Sequence, residues 1–117
     1  MEILHPATRE LHKESDGVGD GNILELFGQY GNAVLQVTGI TNATVTFKGS
    51  LNGQDWVNLA GYNLTNGTGT ATAAANGIYS IPVVGISYFK AEITAYVSGE
   101  IDIVANILPV SGEQVSV

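Results

Sequence analysis

The sequence predicts an all-β protein: an antiparallel β-sandwich, Ig-like or jelly-roll-like, of seven to nine strands with an extended N-terminal arm. Three observations predict it. Apolar and polar residues alternate with period two along most of the chain, as half-buried strands require. Turn-forming residues recur between the alternating runs at the spacing of roughly eight to twelve residues that sandwich strands show. Charge is crowded at one end: of eleven acids and four bases in the 117 residues, Glu2, Arg9, Glu10, Lys13, Glu14, Asp16, Asp20 and Glu25 all precede residue 26.

That charge gradient divides the chain into an arm with a Gly-rich hinge (residues 1–21) and a sandwich domain with a short C-terminal tail (residues 22–117). The run Asp16-Gly-Val-Gly-Asp-Gly-Asn22 reads as a flexible connector, because its glycines lack the Cβ restraint that narrows backbone conformation. Strands are expected near 22–29, 33–38, 43–51, 55–60, 68–74, 77–84, 86–97 and 100–108. In 44–51, Val45, Phe47, Gly49 and Leu51 share one face, and Thr44, Thr46, Lys48 and Ser50 the other. Phe89, Ala91, Ile93, Ala95 and Val97 repeat the pattern, as do Ile101, Ile103, Ala105 and Ile107. A helix over 86–107 would scatter these apolar residues around its cylinder instead of gathering them into a stripe. Turns are expected at Gly31-Asn32, Gly39 to Asn42, Asn52-Gly53, Asn66-Gly67, Asn76-Gly77, Gly85 and Ser98-Gly99, where Asn and Gly tolerate positive φ. Pro82 has no amide proton to donate, so its run ends a strand, lies at an edge or bulges. Trp56, Phe47 and Phe89 are expected between two sheets, with Trp56 at least partly buried.

Composition excludes several function classes. The net charge is −7, whereas phosphate tracking needs clustered Lys and Arg, so no nucleic-acid partner is expected. The chain has no cysteine for disulfides or thiolate metal sites. No apolar run approaches the ~20 residues that cross a bilayer, and Met-Glu-Ile-Leu-His-Pro lacks the basic start and apolar run of a signal peptide. No membrane partner is therefore expected. The sequons at Asn42, Asn63 and Asn66 read as chance in a chain rich in Asn and Thr.

No residue set announces catalysis, and the chain reads as a non-enzyme without cofactor or metal. His5 and His12 lie near Glu2, Glu10 and Glu14 but without a frame to hold three ligands, so a solvated or partner-bound arm explains them better. Asp16, Asp20 and Asn22 have the composition of a calcium loop, yet EF-hand spacing fails at Val18 and Phe27. Glu100 and Asp102 lie ~7 Å apart along a strand, a glycosidase-like separation, but an outward polar face accounts for them more simply. Trp56, Tyr62, Tyr79, Tyr88 and Tyr96 leave a carbohydrate-binding module open as an alternative. Tyr88 and Tyr96 fall on the polar face of their strand, where tyrosine also serves as an interface anchor.

Two stretches resemble a pattern of tailed-bacteriophage virion proteins. One is Gly49-Ser-Leu-Asn-Gly-Gln-Asp-Trp-Val-Asn-Leu59 followed by Tyr62-Asn63. The other is Tyr79-Ser-Ile-Pro-Val-Val-Gly-Ile-Ser-Tyr-Phe-Lys-Ala-Glu-Ile-Thr-Ala-Tyr-Val-Ser-Gly-Glu-Ile101. The resemblance covers about residues 31–108. It implies a β-sandwich of the capsid decoration (cement) or head-fibre type, located on the capsid surface after synthesis in the host cytoplasm. Its implied partners are the major capsid protein, other virion proteins and further copies of itself, as a homotrimer or another small homo-oligomer. A tail, neck or fibre component is the alternative within the same resemblance. The candidate partner-binding residues are Ile3, Leu4, Pro6 and Leu11 on the arm, with Tyr88 and Tyr96 on the sheet.

Overall fold

The computed structural model describes residues 7–109. Among them the fold is all-β and antiparallel, in nine strands: β1 (Ala7–Ser15), β2 (Leu24–Glu25), β3 (Tyr30–Ser50), β4 (Val57–Asn58), β5 (Gly61–Asn63), β6 (Thr68–Thr70), β7 (Thr72–Ala73), β8 (Gly77–Pro82) and β9 (Tyr88–Pro109). Their main path is β1-β9-β3-β8-β5-β6, with β2 added to β9 and β4 and β7 added to β3.

The architecture is sandwich-like, but its two layers are halves of one sheet. A straight strand of β3's 21 residues would run about 70 Å, while the longest dimension of the molecule is 49 Å. β3 and β9 therefore bend together. In the first half-sheet, Asn32 to Thr38 of β3 pair with Leu108 to Asp102 of β9, flanked by β1 and β8; in the second, Ala43 to Ser50 pair with Tyr96 to Tyr88, flanked by β2, β4 and β7. Register shifts between the halves mark the corner, as when a strand switches layers through a bulge. Gly39 (φ 85°) and Gly99 (φ 124°) supply the bend, and a Cβ on Gly39 would lie 1.8 Å from the Glu100 carbonyl oxygen. The expected hairpin turns at Gly39 to Asn42 and Ser98-Gly99 are thus two sides of one corner, where Ile40 faces Gly99 and Asn42 faces Ser98.

Alternation sets the core on both sides of the corner. Ala33, Leu35, Val37, Ile101, Ile103, Ala105 and Ile107 are buried in the first half, and Val45, Phe47, Phe89, Ala91 and Ile93 in the second. Phe47 meets Tyr79 of β8 with ring centroids 5.6 Å apart, which joins the halves face to face. Parity fails past Ile93. Thr44 pairs with Ala95 but Val45 with Ile93, so β9 carries an extra residue there. The bulge turns Val97 out, 71% exposed, and packs Tyr96 against the core in its place. Leu51 is likewise exposed, because β3 ends at Ser50. Pro82 closes β8, the position its missing amide allows.

The N-terminal segment departs from the expected free arm. Ala7–Ser15 is an edge strand of the first half-sheet, running from Ala7 opposite Ile107 to Ser15 opposite Ile101. Its register shifts between Glu10 and His12, so the adjacent Leu11 and His12 are both buried. The His12 ring spans the fold: Nε2 donates to the Ala91 carbonyl at 2.7 Å, and Nδ1 shares a hydrogen bond with Ser15 Oγ at 2.8 Å. A carbonyl can only accept, which fixes the proton on Nε2. The Gly-rich run is also tied down. Gly19 exchanges two backbone hydrogen bonds with Ile93, and Asn22 bonds the Leu11 and Glu10 carbonyls through its backbone and side-chain amides. Gly21 (φ 67°) is required there, since a Cβ would lie 2.4 Å from His12 Nε2.

Candidate functional site

One end of the second half-sheet gathers Ile23, Phe27, Leu51 and Val57 of the exposed apolar side chains; Tyr62, Leu64, Val97 and Val104 are exposed elsewhere. The segments at this end are 22–29, which carries β2 and the turn into β3, and the loop 51–56 between β3 and β4. Leu51 and Val57, 69% and 61% exposed, border an apolar groove with Ile86. Asn52 separates this from a second groove of about 400 Å³ lined by Trp56, Tyr88, Gly53, Gln54, Ile23 and Glu25. Ile23 and Glu25 continue into a third depression beside Phe27 and Arg9. The three form a continuous band.

Two local devices shape the band. Phe27 and Gly28 both have positive φ, 56° and 70°, and Gln29 N–H donates to the Leu26 carbonyl, which is a type I′ turn. Holding a phenylalanine in the left-handed region costs on the order of 1 kcal/mol, and the side chain it presents is largely exposed. The 51–56 loop is braced from within. Ser50 Oγ accepts from the Asn52 and Gly53 amides, Asn52 Oδ1 from the Gln54 and Asp55 amides, and Asn52 Nδ2 donates to Asp55. Asn52 spends its side chain on this Asx turn, and Gln54 beside it is exposed.

Trp56 does not enter the core. It is half-buried over Lys90, whose Nζ lies 4.4 Å from the ring centroid. Lys90 is itself buried, bonds Asp20 at 3.0 Å and lies 3.7 Å from Glu92, which also pairs with Lys48 at 2.8 Å. The hinge residue Asp20 and the loop residue Trp56 therefore close over one lysine from two sides, and the indole is held in place.

The structure separates the residues that the sequence grouped. Leu11 is 1% exposed and packs in the core, so it is no surface anchor. Ile3, Leu4, Pro6 and His5 lie outside the described residues. Tyr88 is half-buried and lines the central groove, where a Cβ on Gly53 would meet its ring at 3.4 Å. Tyr96 lies near the corner, its hydroxyl donating to the Gly99 carbonyl at 2.6 Å. Asp102 accepts from the Glu14 amide, a role in seating β1. Among the described residues, no three His, Cys, Asp or Glu side chains gather as a metal site. Phe27 was missed as a surface residue because the run 22–29 reads as a strand; Gly28 beside it was the available sign of a turn.

No protein-family model matches this sequence, and neither does any curated protein. Two solved structures share the fold. SPBc2 prophage-derived protein YomS superposes with a TM-score of 0.79 at 15% identity, over 92% of this chain and 97% of YomS. PBSX exported protein XepA gives 0.79 at 14% identity, over 92% of this chain and 39% of XepA. The unit thus makes up nearly all of one protein and less than half of another.

Proposed function

We propose that this chain is a non-catalytic bacteriophage structural protein, a decoration or cement subunit that binds the outside of a phage head and stabilises it. The observation that carries the reading is the fold shared over 92% of this chain with YomS, a prophage-derived protein by name, and with the exported protein XepA. The motif order in residues 31–108 supports the same assignment. In YomS the fold fills almost the whole chain, as a self-sufficient binding unit would.

The mechanism is mass action. A subunit that binds intact shell better than loose or broken shell favours the intact particle by RT ln(1 + [L]/Kd). A repeated lattice multiplies a weak individual contact. Because Ala7–Ser15 belongs to the sheet, the contacts are assigned to the apolar band of Phe27, Leu51 and Val57 and to residues 1–6 with Ile3, Leu4 and Pro6. The partners are the major capsid protein and further copies of the chain in a small homo-oligomer.

The test is copy number in gradient-purified particles of a phage that encodes the chain, by quantitative mass spectrometry. Decoration predicts copies on the order of the shell subunits. Copies in the tens instead assign the chain to neck, tail or fibre, and absence from particles overturns both assignments.

A further inference from the structure

The central groove of the band has the chemistry of a small-molecule site. Its ~400 Å³ falls in the usual range for such sites. Two aromatic side chains, Trp56 and Tyr88, line it together with an exposed amide (Gln54) and an exposed carboxylate (Glu25). Tyr79 and Tyr96 spend their hydroxyls on backbone carbonyls; among the described residues, the Tyr88 hydroxyl and Trp56 Nε1 have no such partner. The aromatic framework is fixed in advance. Lys90 holds the indole, and the Asx turn braces the loop that carries Gly53 and Gln54. A site ordered before binding avoids much of the entropy cost of closing on a ligand.

We infer that the groove between Trp56 and Tyr88 binds a neutral saccharide of one or two rings. A pyranose offers a flat C–H face to an aromatic ring and a rim of hydroxyls that need both donors and acceptors. Gln54 supplies both, Glu25 accepts, and the free tyrosine hydroxyl and indole N–H complete the set. Charge narrows the class. Glu25 and the net charge of −7 repel phosphorylated or acidic ligands, and an ammonium already stacked on Trp56 weakens that ring's attraction for a second cation. The inference does not rest on the particle assignment, since it concerns the isolated protein.

Trp56 is the only tryptophan, so its emission reports this groove alone. The purified chain is titrated with cellobiose, maltose, lactose, mannobiose and N,N′-diacetylchitobiose, and with hexalysine as the cationic competitor. At least one disaccharide should shift the emission saturably. Tyr88→Ala and Gln54→Ala should weaken that binding about fivefold to tenfold, the scale of a lost aromatic or hydrogen-bond contact. Gln36→Ala, in the first half-sheet, should leave it unchanged, with circular dichroism confirming the fold of each variant. Tyr88→Phe keeps the ring and should lose less than Tyr88→Ala. No saturable response to any of the five sugars overturns the inference. So does a response that survives both Tyr88→Ala and Gln54→Ala, or one confined to hexalysine, which would mark a cationic-peptide groove instead.

Discussion

Truncating Leu11 to alanine asks whether the charged N-terminal segment is part of the fold. Leu11 is 1% exposed on an edge strand, at the register shift between Glu10 and His12. Removing its branched end from the core should cost about 2–4 kcal/mol, short of the largest buried leucine losses because an edge strand can settle into part of the space. With an unfolding entropy of about 2.1 cal/mol/K per residue, a domain of this size loses about 4 °C in Tm per kcal/mol. The melting temperature should therefore fall by roughly 8–16 °C. Lys13→Ala, on the same strand but exposed, is the control and should shift Tm by no more than ~2 °C. Thermal melts followed by circular dichroism and calorimetry measure both. A Leu11→Ala variant that melts with the wild type would refute the docking of β1 and restore the free arm.

Three further outcomes follow from the geometry. Gly39→Ala forces a side chain against the Glu100 carbonyl, whereas Gly67→Ala, also at positive φ, meets open space. In urea unfolding Gly67→Ala should lose about 1–2 kcal/mol and Gly39→Ala clearly more, and equal losses would remove the corner from the account. Lys90→Ala should red-shift Trp56 emission and cost about 1–2 kcal/mol, a modest figure because Asp20 is half exposed to screening solvent; an unmoved spectrum would mean that the stack does not persist. Burial raises the Tyr79 pKa above 10.0, against the lowering effect of its hydrogen bond to Ala75. The unfolded chain then loses the phenol proton first, so this contribution is intact below pH 10 and disappears as pH rises through the folded-state pKa. Melts across that range should show a drop in stability that Tyr79→Phe abolishes; equal alkaline slopes would contradict it.

Much of the fold was legible in the sequence because strand alternation leaves a record wherever the ladder is regular. Ile101, Ile103, Ala105 and Ile107 read as one buried face and are one. The record fails at bulges. An inserted residue exposes Val97 and turns Tyr96 inward, and another buries the neighbours Leu11 and His12 in a strand whose other side chains, Ala7 apart, are charged or polar. Charges on an edge strand blunt unwanted pairing, so the residues that make β1 a well-behaved edge also make it read as a solvated arm. The corner was hidden for a different reason: Gly39 and Gly99 look like hairpin turns until the pairing of β3 with β9 brings them face to face. At the candidate site Tyr88 was legible from its place on a polar strand face. The stacking of Trp56 on Lys90 joins residues from separate elements, and no local spacing encodes it.

The proposed function, holding a phage shell together, is open to reconstitution. Particles produced without the gene are mixed with purified chain, pelleted through a cushion and heated while genome release is followed with a DNA-binding dye. A shell-stabilising subunit should bind saturably at a fixed ratio to shell subunits, raise the release temperature, and lose both effects when Phe27, Leu51 and Val57 are replaced by serine. Protein that stays in the supernatant at saturating concentration, or binds without changing the release temperature, would contradict it.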